Sequence, residues 1–271
     1  MSVPAEWLQA RAVAIDAARA GGRAALRHFR RPELAVEWKA DDSPVTRADR
    51  EAEEAIRATL AAAFPDDAWI GEESGSAESL GGSGASGRRW IVDPIDGTRN
   101  FVRGVPLWAT LVACEQALPG GDKVVAAAVL IPALDEAYDA VLGGGARCNG
   151  QAIHVSAIAA LDQALWCFET PSWFRRKGLS AVWDQLERGT HLQRGLGDAY
   201  AHMLVASGRA EVVVEPSLSV WDVAATSLVV NEAGGRFSDL AGTPSIRSCD
   251  AIVSNGLLHN EIVALVHRAR T

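Results

Sequence analysis

Asp93 and Asp96 stand three residues apart in the segment Trp90-Ile-Val-Asp-Pro-Ile-Asp-Gly-Thr-Arg-Asn-Phe101. The residues before Asp93 are apolar, so a short strand, Trp90 to Val92, delivers that carboxylate to its end. Pro94 turns the chain, and Gly97 lets the backbone come close to a ligand. Two carboxylates and the carbonyls of a turn form an oxygen-only donor set. Such a set suits hard cations such as magnesium, not zinc. If the chain enters a helix after Asp96, the first N–H groups of that helix can hold an anion.

Other acids are placed to complete such a cluster. Glu72 and Glu73 follow Gly71 at the end of a strand-like run, and Asp49 and Asp222 each lie in the first turn of a predicted helix. Each also has a plainer reading. Asp49 is spaced from Thr46, and Asp222 from Ser219, as in a capping box. Glu72-Glu73 fits a solvated turn, and Asp93 with Asp96 fits simple turn chemistry. Composition and spacing leave these alternatives open.

The elements that must position these residues are legible as a mixed pattern. Trp7 to Arg31 predicts a long Ala-rich helix with Leu8, Ala12, Ile15, Ala18 and Leu26 on its stripe. Gly21-Gly22 weakens it where another backbone is expected to pack closely. Thr46 to Phe64 predicts a second helix, stopped by Pro65. Ala68–71, 108–115, 124–131 and 136–142 predict strands, and 74–87, rich in Gly and Ser, a mobile loop. The second half predicts strands over 165–168, 211–214 and 251–254. Its helices are expected over 180–185, 198–207, 221–233 and 260–269. Helices and strands alternate in blocks, which favours a layered α+β fold over a simple doubly wound sheet.

The whole chain narrows the function classes. Its formal net charge of -8, from 34 acidic and 26 basic residues, repels a polyanionic backbone and argues against general nucleic-acid binding. The N-terminal residues lack a basic region followed by an apolar stretch, so no signal peptide is expected. The longest apolar run, Val124 to Leu134, is too short for a bilayer, so no membrane partner is expected. Four scattered cysteines without a CxxC pair predict reduced thiols in a cytoplasmic protein. The six histidines form no ligand pattern and read as surface or packing residues, and the nine tryptophans read mostly as core. Trp173-Phe-Arg-Arg-Lys177 reads first as a solvated turn, and alternatively as a basic aromatic surface patch bordering a substrate cleft or a dimer interface. No P-loop or Rossmann fingerprint is present.

Five segments occur together in order: Ser43-Pro-Val-Thr-Arg-Ala-Asp49, Gly71-Glu-Glu-Ser74, Trp90 to Thr98, Trp221-Asp-Val-Ala-Ala225 and Glu232-Ala-Gly-Gly235. In combination, and from about Lys39 to Asn255, they resemble the inositol monophosphatase family of magnesium-dependent, lithium-sensitive phosphatases. The resemblance implies an α-β-α-β-α layered sandwich of the inositol monophosphatase / fructose bisphosphatase type. It implies a single catalytic domain over 1–271, with most metal ligands in 1–142 and Asp222 and the substrate side in 143–271. By position, Glu72, Asp93, the Ile95 carbonyl, Asp96 and Asp222 would ligate two or three magnesium ions. Thr98 and Asp49 would orient and deprotonate a metal-activated water, and the N–H groups of Gly97 and Thr98 would hold the phosphate. A homodimer is implied as well.

The partner expected is a small phosphorylated metabolite. Asn100-Phe-Val-Arg-Gly-Val-Pro-Leu-Trp108, Gly197-Asp198, Glu215-Pro216 and Ser254 to Glu261 are most similar to the histidinol-phosphate phosphatase branch, which acts in histidine biosynthesis. Asp198 and Glu215 would face the substrate, and two carboxylates suit an ammonium and an imidazole better than a neutral polyol. The plainer reading of Asp198 is a helix N-cap, or a partner for nearby Arg194. Inositol-1-monophosphatase is the main alternative. A phosphoadenosine nucleotidase and a metal-binding regulatory protein without turnover are the others.

Overall fold

The computed structural model describes residues 2–31, 35–38, 44–77, 79–81 and 86–270. Lys39, Ser43, residue 78 and residues 82–85 of the Gly/Ser-rich segment lie outside the described residues. The chain begins with α1 (Ala5–Leu26), β1 (Val36–Trp38), β2 (Pro44–Thr46) and α2 (Arg47–Ala63). There follow β3 (Ala68–Gly71), β4 (Gly75–Ala77), β5 (Arg88–Asp96), the short α3 (Thr98–Val102), β6 (Ala109–Leu118), β7 (Gly121–Ile131), β8 (Glu136–Val141), β9 (Ala146–Cys148) and β10 (Gln151–Ala152). Next come β11 (Leu165–Cys167), α4 (Pro171–Arg176), α5 (Ser180–Gly189), β12 (Leu192–Arg194) and α6 (Asp198–Ala206). The last elements are β13 (Val212–Glu215), α7 (Val220–Glu232), β14 (Arg236–Ser238), β15 (Ala251–Ser254) and α8 (His259–Arg270).

Two main sheets form. An eight-stranded sheet runs β10-β9-β8-β7-β6-β5-β3-β4, antiparallel except for the β3–β5 pair. A five-stranded sheet runs β12-β11-β13-β15-β14. Strands of the large sheet are apolar on both sides because both faces are covered. On β5, Trp90 and Val92 join the core beneath α1 and α2, while Ile91 points to the opposite core with α6 and α7. Helix α7 lies on β5 to β8 and also touches β14 and β15, so α6 and α7 fill the space between the sheets. The outer face of the small sheet packs on α4, α5 and α8 around Trp166, Phe174 and Val182. The result is the expected α-β-α-β-α sandwich.

Several local expectations need correction. Leu8 and Leu26 are exposed, and the buried stripe of α1 is Ala10, Ala14, Ala17, Ala18, Gly21 and Gly22. Small residues win this face because the helix must lie close to α2 and the sheet. A Cβ on Gly21 would sit 2.6 Å from Ile56, and one on Gly22 2.6 Å from Leu130, so side chains and not another backbone make the close approach. Gly75–Ala77, expected in a mobile loop, pairs antiparallel with β3 as an edge strand. Trp173 to Lys177 is not a solvated turn. It belongs mostly to α4, started by Pro171 at its N-terminus, with Phe174 buried edge-on to Trp166 and Trp183. All four cysteines are free. Among the described residues, no helix is long and apolar enough to cross a membrane.

His259, at the start of α8, carries a pH dependence of stability. It is fully buried, with Nε2 2.9 Å from Ser238 Oγ and Nδ1 2.9 Å from Ser254 Oγ. Ser238 Oγ already donates to the Asp239 carbonyl, so it accepts from Nε2–H, and Ser254 donates to Nδ1. The neutral ring is satisfied. Burial, then the charge of Arg236, pushes its pKa down to about 4. Below pH 6.5 the unfolded chain takes up a proton that the folded chain refuses, so this contribution is full above 6.5 and is lost as pH falls toward 4. The stability difference between wild type and His259→Gln is expected to shrink by about 2 kcal/mol from pH 7.5 to pH 4.5. Urea melts at the two pH values check this, and a constant difference would refute it.

Candidate active site

The site lies where β5 breaks its pairing. Between Asp93 and Asp96 the register to β6 shifts, so Pro94 and Ile95 bulge from the ladder. Asp93 Oδ1 accepts the Ile95 N–H at 3.0 Å, and the Thr110 hydroxyl holds the Pro94 carbonyl at 2.9 Å. Behind the bulge, Ile95 packs with Phe101, Trp108 and Ala48, and Phe101 meets Trp108 edge-on at 4.9 Å. That apolar cluster fixes the turn from below. Gly97 then takes φ +78, which only glycine adopts easily, and α3 begins.

A cavity of about 340 Å³ opens over the bulge, and seven carboxylates line it: Glu72, Asp93, Asp96, Glu169, Asp198, Glu215 and Asp222. Oxygens of Asp93, Asp96 and Asp222 lie within 4.8 Å of one another. Glu72 enters from the end of β3, its N–H bonded to the Val92 carbonyl at 3.2 Å, one residue before Asp93. The Ile95, Gly97 and Thr98 positions line the same cavity. Asp222 arrives from α7, across the interface between the two halves of the chain.

The plainer readings and the site readings turn out to be compatible. Asp49 and Asp222 both complete capping boxes, with Thr46 and Ser219. Asp49 uses Oδ2 for the cap, which leaves Oδ1 3.5 Å from the Thr98 hydroxyl. That hydroxyl has one proton and donates it to the Ile95 carbonyl at 2.9 Å. Asp222 likewise caps with Oδ2, accepting the Ser219 N–H at 2.7 Å. Asp198 is different: its side chain makes no helix cap. The N-terminus of α6 is instead capped by Asp96, which accepts the Ala199 N–H at 2.7 Å. Asp198 sits at φ +59 and accepts from Asn100 at 3.0 Å, while Arg194 donates to the Gln193 carbonyl.

Crowding of negative charge sets the electrostatics. Burial first, then Glu72, Asp96 and Asp222, hold the Asp93 carboxyl well above its usual range. Burial with Asp198 and Asp222 does the same to Asp96. Asp222 is pushed up to about 7 and Asp198 to about 8, both chiefly by burial. Asp49, buried beside its cap, rises to about 6. Buried carboxylates that repel one another call for cations between them. The donors are all oxygen, and those of Asp93, Asp96 and Asp222 lie within 4.8 Å of one another, so the residues present fit a divalent metal such as magnesium.

Sequence reasoning missed three contributors. Glu169 lines the cavity just beyond the end of β11, and burial holds its carboxyl above the usual range. The backbone of Glu169 passes so close to Gly197 that a Cβ there would lie 2.3 Å from the Glu169 Cα. Glu169 is thereby set beside Asp198. His202 is 1 % exposed, with Nε2 2.8 Å from Glu215 and Nδ1 2.9 Å from Thr226. It ties Glu215 to α7, the helix that presents Asp222. Its signal was the i, i+4 spacing from Asp198 on α6. Asn100 holds Asp198, and nothing in its local sequence announces a partner 98 positions away.

Relatives share this architecture. A histidinol-phosphatase of Streptomyces coelicolor is 40% identical over 254 residues, 92% of this chain and 93% of that protein. One of Chlorobaculum parvum is 42% identical over 255 residues, 94% and 95% of the two chains. Among solved structures, extragenic suppressor protein suhB of Bartonella henselae superposes with a TM-score of 0.86 at 30% identity, covering 94% of this chain and 97% of that one. The model of the inositol monophosphatase family matches residues 6–271. That span takes in every strand end and helix start that supplies the cavity, and the chain belongs to the inositol monophosphatase family.

Proposed function

We propose that this chain hydrolyses L-histidinol phosphate. It is a metal-dependent phosphoric monoester hydrolase, as its family and its acidic cluster show. The observation that carries the finer reading is the group of Glu169, Asp198 and Glu215, three carboxylates that line the same cavity as the metal-ligand candidates. Three carboxylates there favour a leaving group with cationic nitrogens and N–H donors over a neutral polyol. Trp173 lines the same cavity, and an aromatic side chain there suits a cationic group.

In this reading Glu72, Asp93, the Ile95 carbonyl, Asp96 and Asp222 hold two or three magnesium ions. When bound, magnesium neutralises phosphoryl charge and acidifies water. The N–H groups of Gly97 and Thr98 hold the phosphoryl oxygens at the start of α3. The Thr98 hydroxyl, turned from the Ile95 carbonyl toward Asp49, orients the attacking water, and Asp49 accepts the proton. With its pKa pushed up to about 6, Asp49 is a base in its ionised form at neutral pH. Glu215, steadied by His202, and Asp198, steadied by Asn100, hold the alcohol portion. A single catalytic domain, a cytoplasmic location and a homodimer belong to the same proposal.

The test compares phosphate release from L-histidinol phosphate and from myo-inositol 1-phosphate, with magnesium and with chelator. A kcat/KM at least a hundredfold higher for histidinol phosphate is expected, roughly 2.7 kcal/mol of discrimination. A preference for the inositol ester would overturn the reading of Asp198 and Glu215 and leave the metal chemistry in place.

A further inference from the structure

We propose that Glu53 is a positioning residue for metal loading: its buried carboxylate clamps the backbone of the turn that aims Glu72 into the cavity. Glu53 lies on α2 one helical turn after Asp49, so the two buried acids share one stripe of the helix. It is only 5% exposed. One oxygen accepts the Glu73 N–H and the other the Ser74 N–H, each at 2.9 Å. A buried carboxylate is costly to place, and here both of its oxygens serve consecutive main-chain donors.

The surroundings are built for this contact. A Cβ on Gly71 would lie 2.7 Å from Glu53 Oε2, so glycine is what admits the carboxylate to the turn. The Trp69 indole N–H donates to Ser74 Oγ at 2.9 Å, a second tie on the same turn. Before the turn, the Glu72 N–H is bonded to the Val92 carbonyl. Glu72 is therefore fixed on one side by β5 and on the other by α2. Because Asp49 shares that helix, the clamp also sets the distance between the Glu72 turn and the proton-accepting side of the site. A carboxylate ligand on a fixed backbone loses little freedom when a cation binds; the same ligand on a loose turn loses more, and affinity falls.

This inference rests on the reading that Glu72 is a magnesium ligand, and the experiment separates the two. Magnesium affinity is measured by isothermal titration calorimetry, alongside thermal melting in chelator, for wild type, Glu53→Gln and Glu72→Gln. In Glu53→Gln the amide NH₂ faces one of the two backbone N–H groups, so that half of the clamp is lost. The dissociation constant is expected to rise at least tenfold in Glu53→Gln and further in Glu72→Gln. A wild-type dissociation constant in Glu53→Gln, with Glu72→Gln weakened, overturns the clamp alone. An unchanged constant in Glu72→Gln removes Glu72 from the ligands, and the clamp with it. A purely structural Glu53 would lower the melting temperature in chelator and leave the constant where it was. Should Glu53→Gln fail to fold, Gly71→Ala keeps the charge and displaces the carboxylate through the 2.7 Å contact. It is then expected to weaken magnesium binding at least tenfold, and unchanged binding overturns the proposal.

Discussion

Asp93→Asn is expected to lower magnesium-dependent kcat by roughly 10³-fold or more, the scale of losing a principal electrostatic group in a site, while the protein stays folded. The carboxylate stands at the centre of the cluster, with oxygens of Asp96 and Asp222 within 4.8 Å. The backbone bond that shapes the bulge survives, because asparagine can still accept the Ile95 N–H. Stability should move the other way. The cluster's pKa values are raised in the folded state, Asp49 to about 6, Asp222 to about 7 and Asp198 to about 8. Protonated, these groups stabilise the fold at low pH, and that contribution is lost as pH rises through the raised values. Wild type in chelator is therefore expected to lose stability from about pH 4, where the carboxyls of the unfolded chain ionise, up to about pH 8, the highest of these values. Asp93→Asn should lose less, because one repelling charge is gone. Added magnesium should stabilise wild type at the upper end of that window by mass action. Phosphate release and thermal melting, each with and without magnesium, check both halves. A folded variant with wild-type turnover would remove the metal site as described.

Asp198→Asn is expected to raise KM for histidinol phosphate about 10- to 100-fold, the range of a lost hydrogen bond to a charged group, and to raise KM for inositol phosphate far less. Asparagine keeps the bond from Asn100, tolerates φ +59, and carries no charge. Because burial and the acids Glu169, Glu215 and Asp222 push the Asp198 pKa up to about 8, its ionised form is costly near neutral pH. The variant should therefore melt higher than wild type in chelator at pH 8. Better stability with poorer discrimination is the signature of a charge kept for binding and not for folding. Equal effects on the two substrates would remove charge selection as the role of Asp198.

Both predictions depend on residues whose individual roles were legible to different degrees. Asp93 and Asp96 were legible because their chemistry is local: an apolar strand, a proline, two acids and a glycine form one short segment. Thr46 with Asp49, and Ser219 with Asp222, were legible as capping boxes, and both form. Treating cap and ligand as rivals was the error, since a carboxylate has two oxygens and each of these acids turns one to the cap. The N-cap reading of Asp198 failed for a long-range reason. Asp96, 103 positions earlier in the chain, takes the Ala199 N–H and leaves Asp198 to the cavity. Glu169 and His202 escaped notice because neither belongs to a local motif. Their importance comes from Gly197 admitting the Glu169 backbone and from β13 ending beside α6. In Trp173 to Lys177 the basic residues do face solvent and Arg176 lies over the Trp173 ring, as in the aromatic-patch reading; the turn reading missed that Phe174 anchors a helix in an aromatic cluster.

Oxygen-only chemistry, the helix starts that carry Asp49 and Asp222, and the apolar strand that delivers Asp93 are all encoded locally. Each of these follows from hydrogen-bond and packing rules that act within a few residues. Which acids meet depends on how the helices and sheets pack on one another. Helix α7 crosses the large sheet and brings Asp222 over the β5 bulge, α2 places Glu53 under the Glu72 turn, and α6 turns Asp198 toward Gly97. Meetings across such distances are set by burying the two faces of each sheet at once, a condition on the whole chain that no single segment carries.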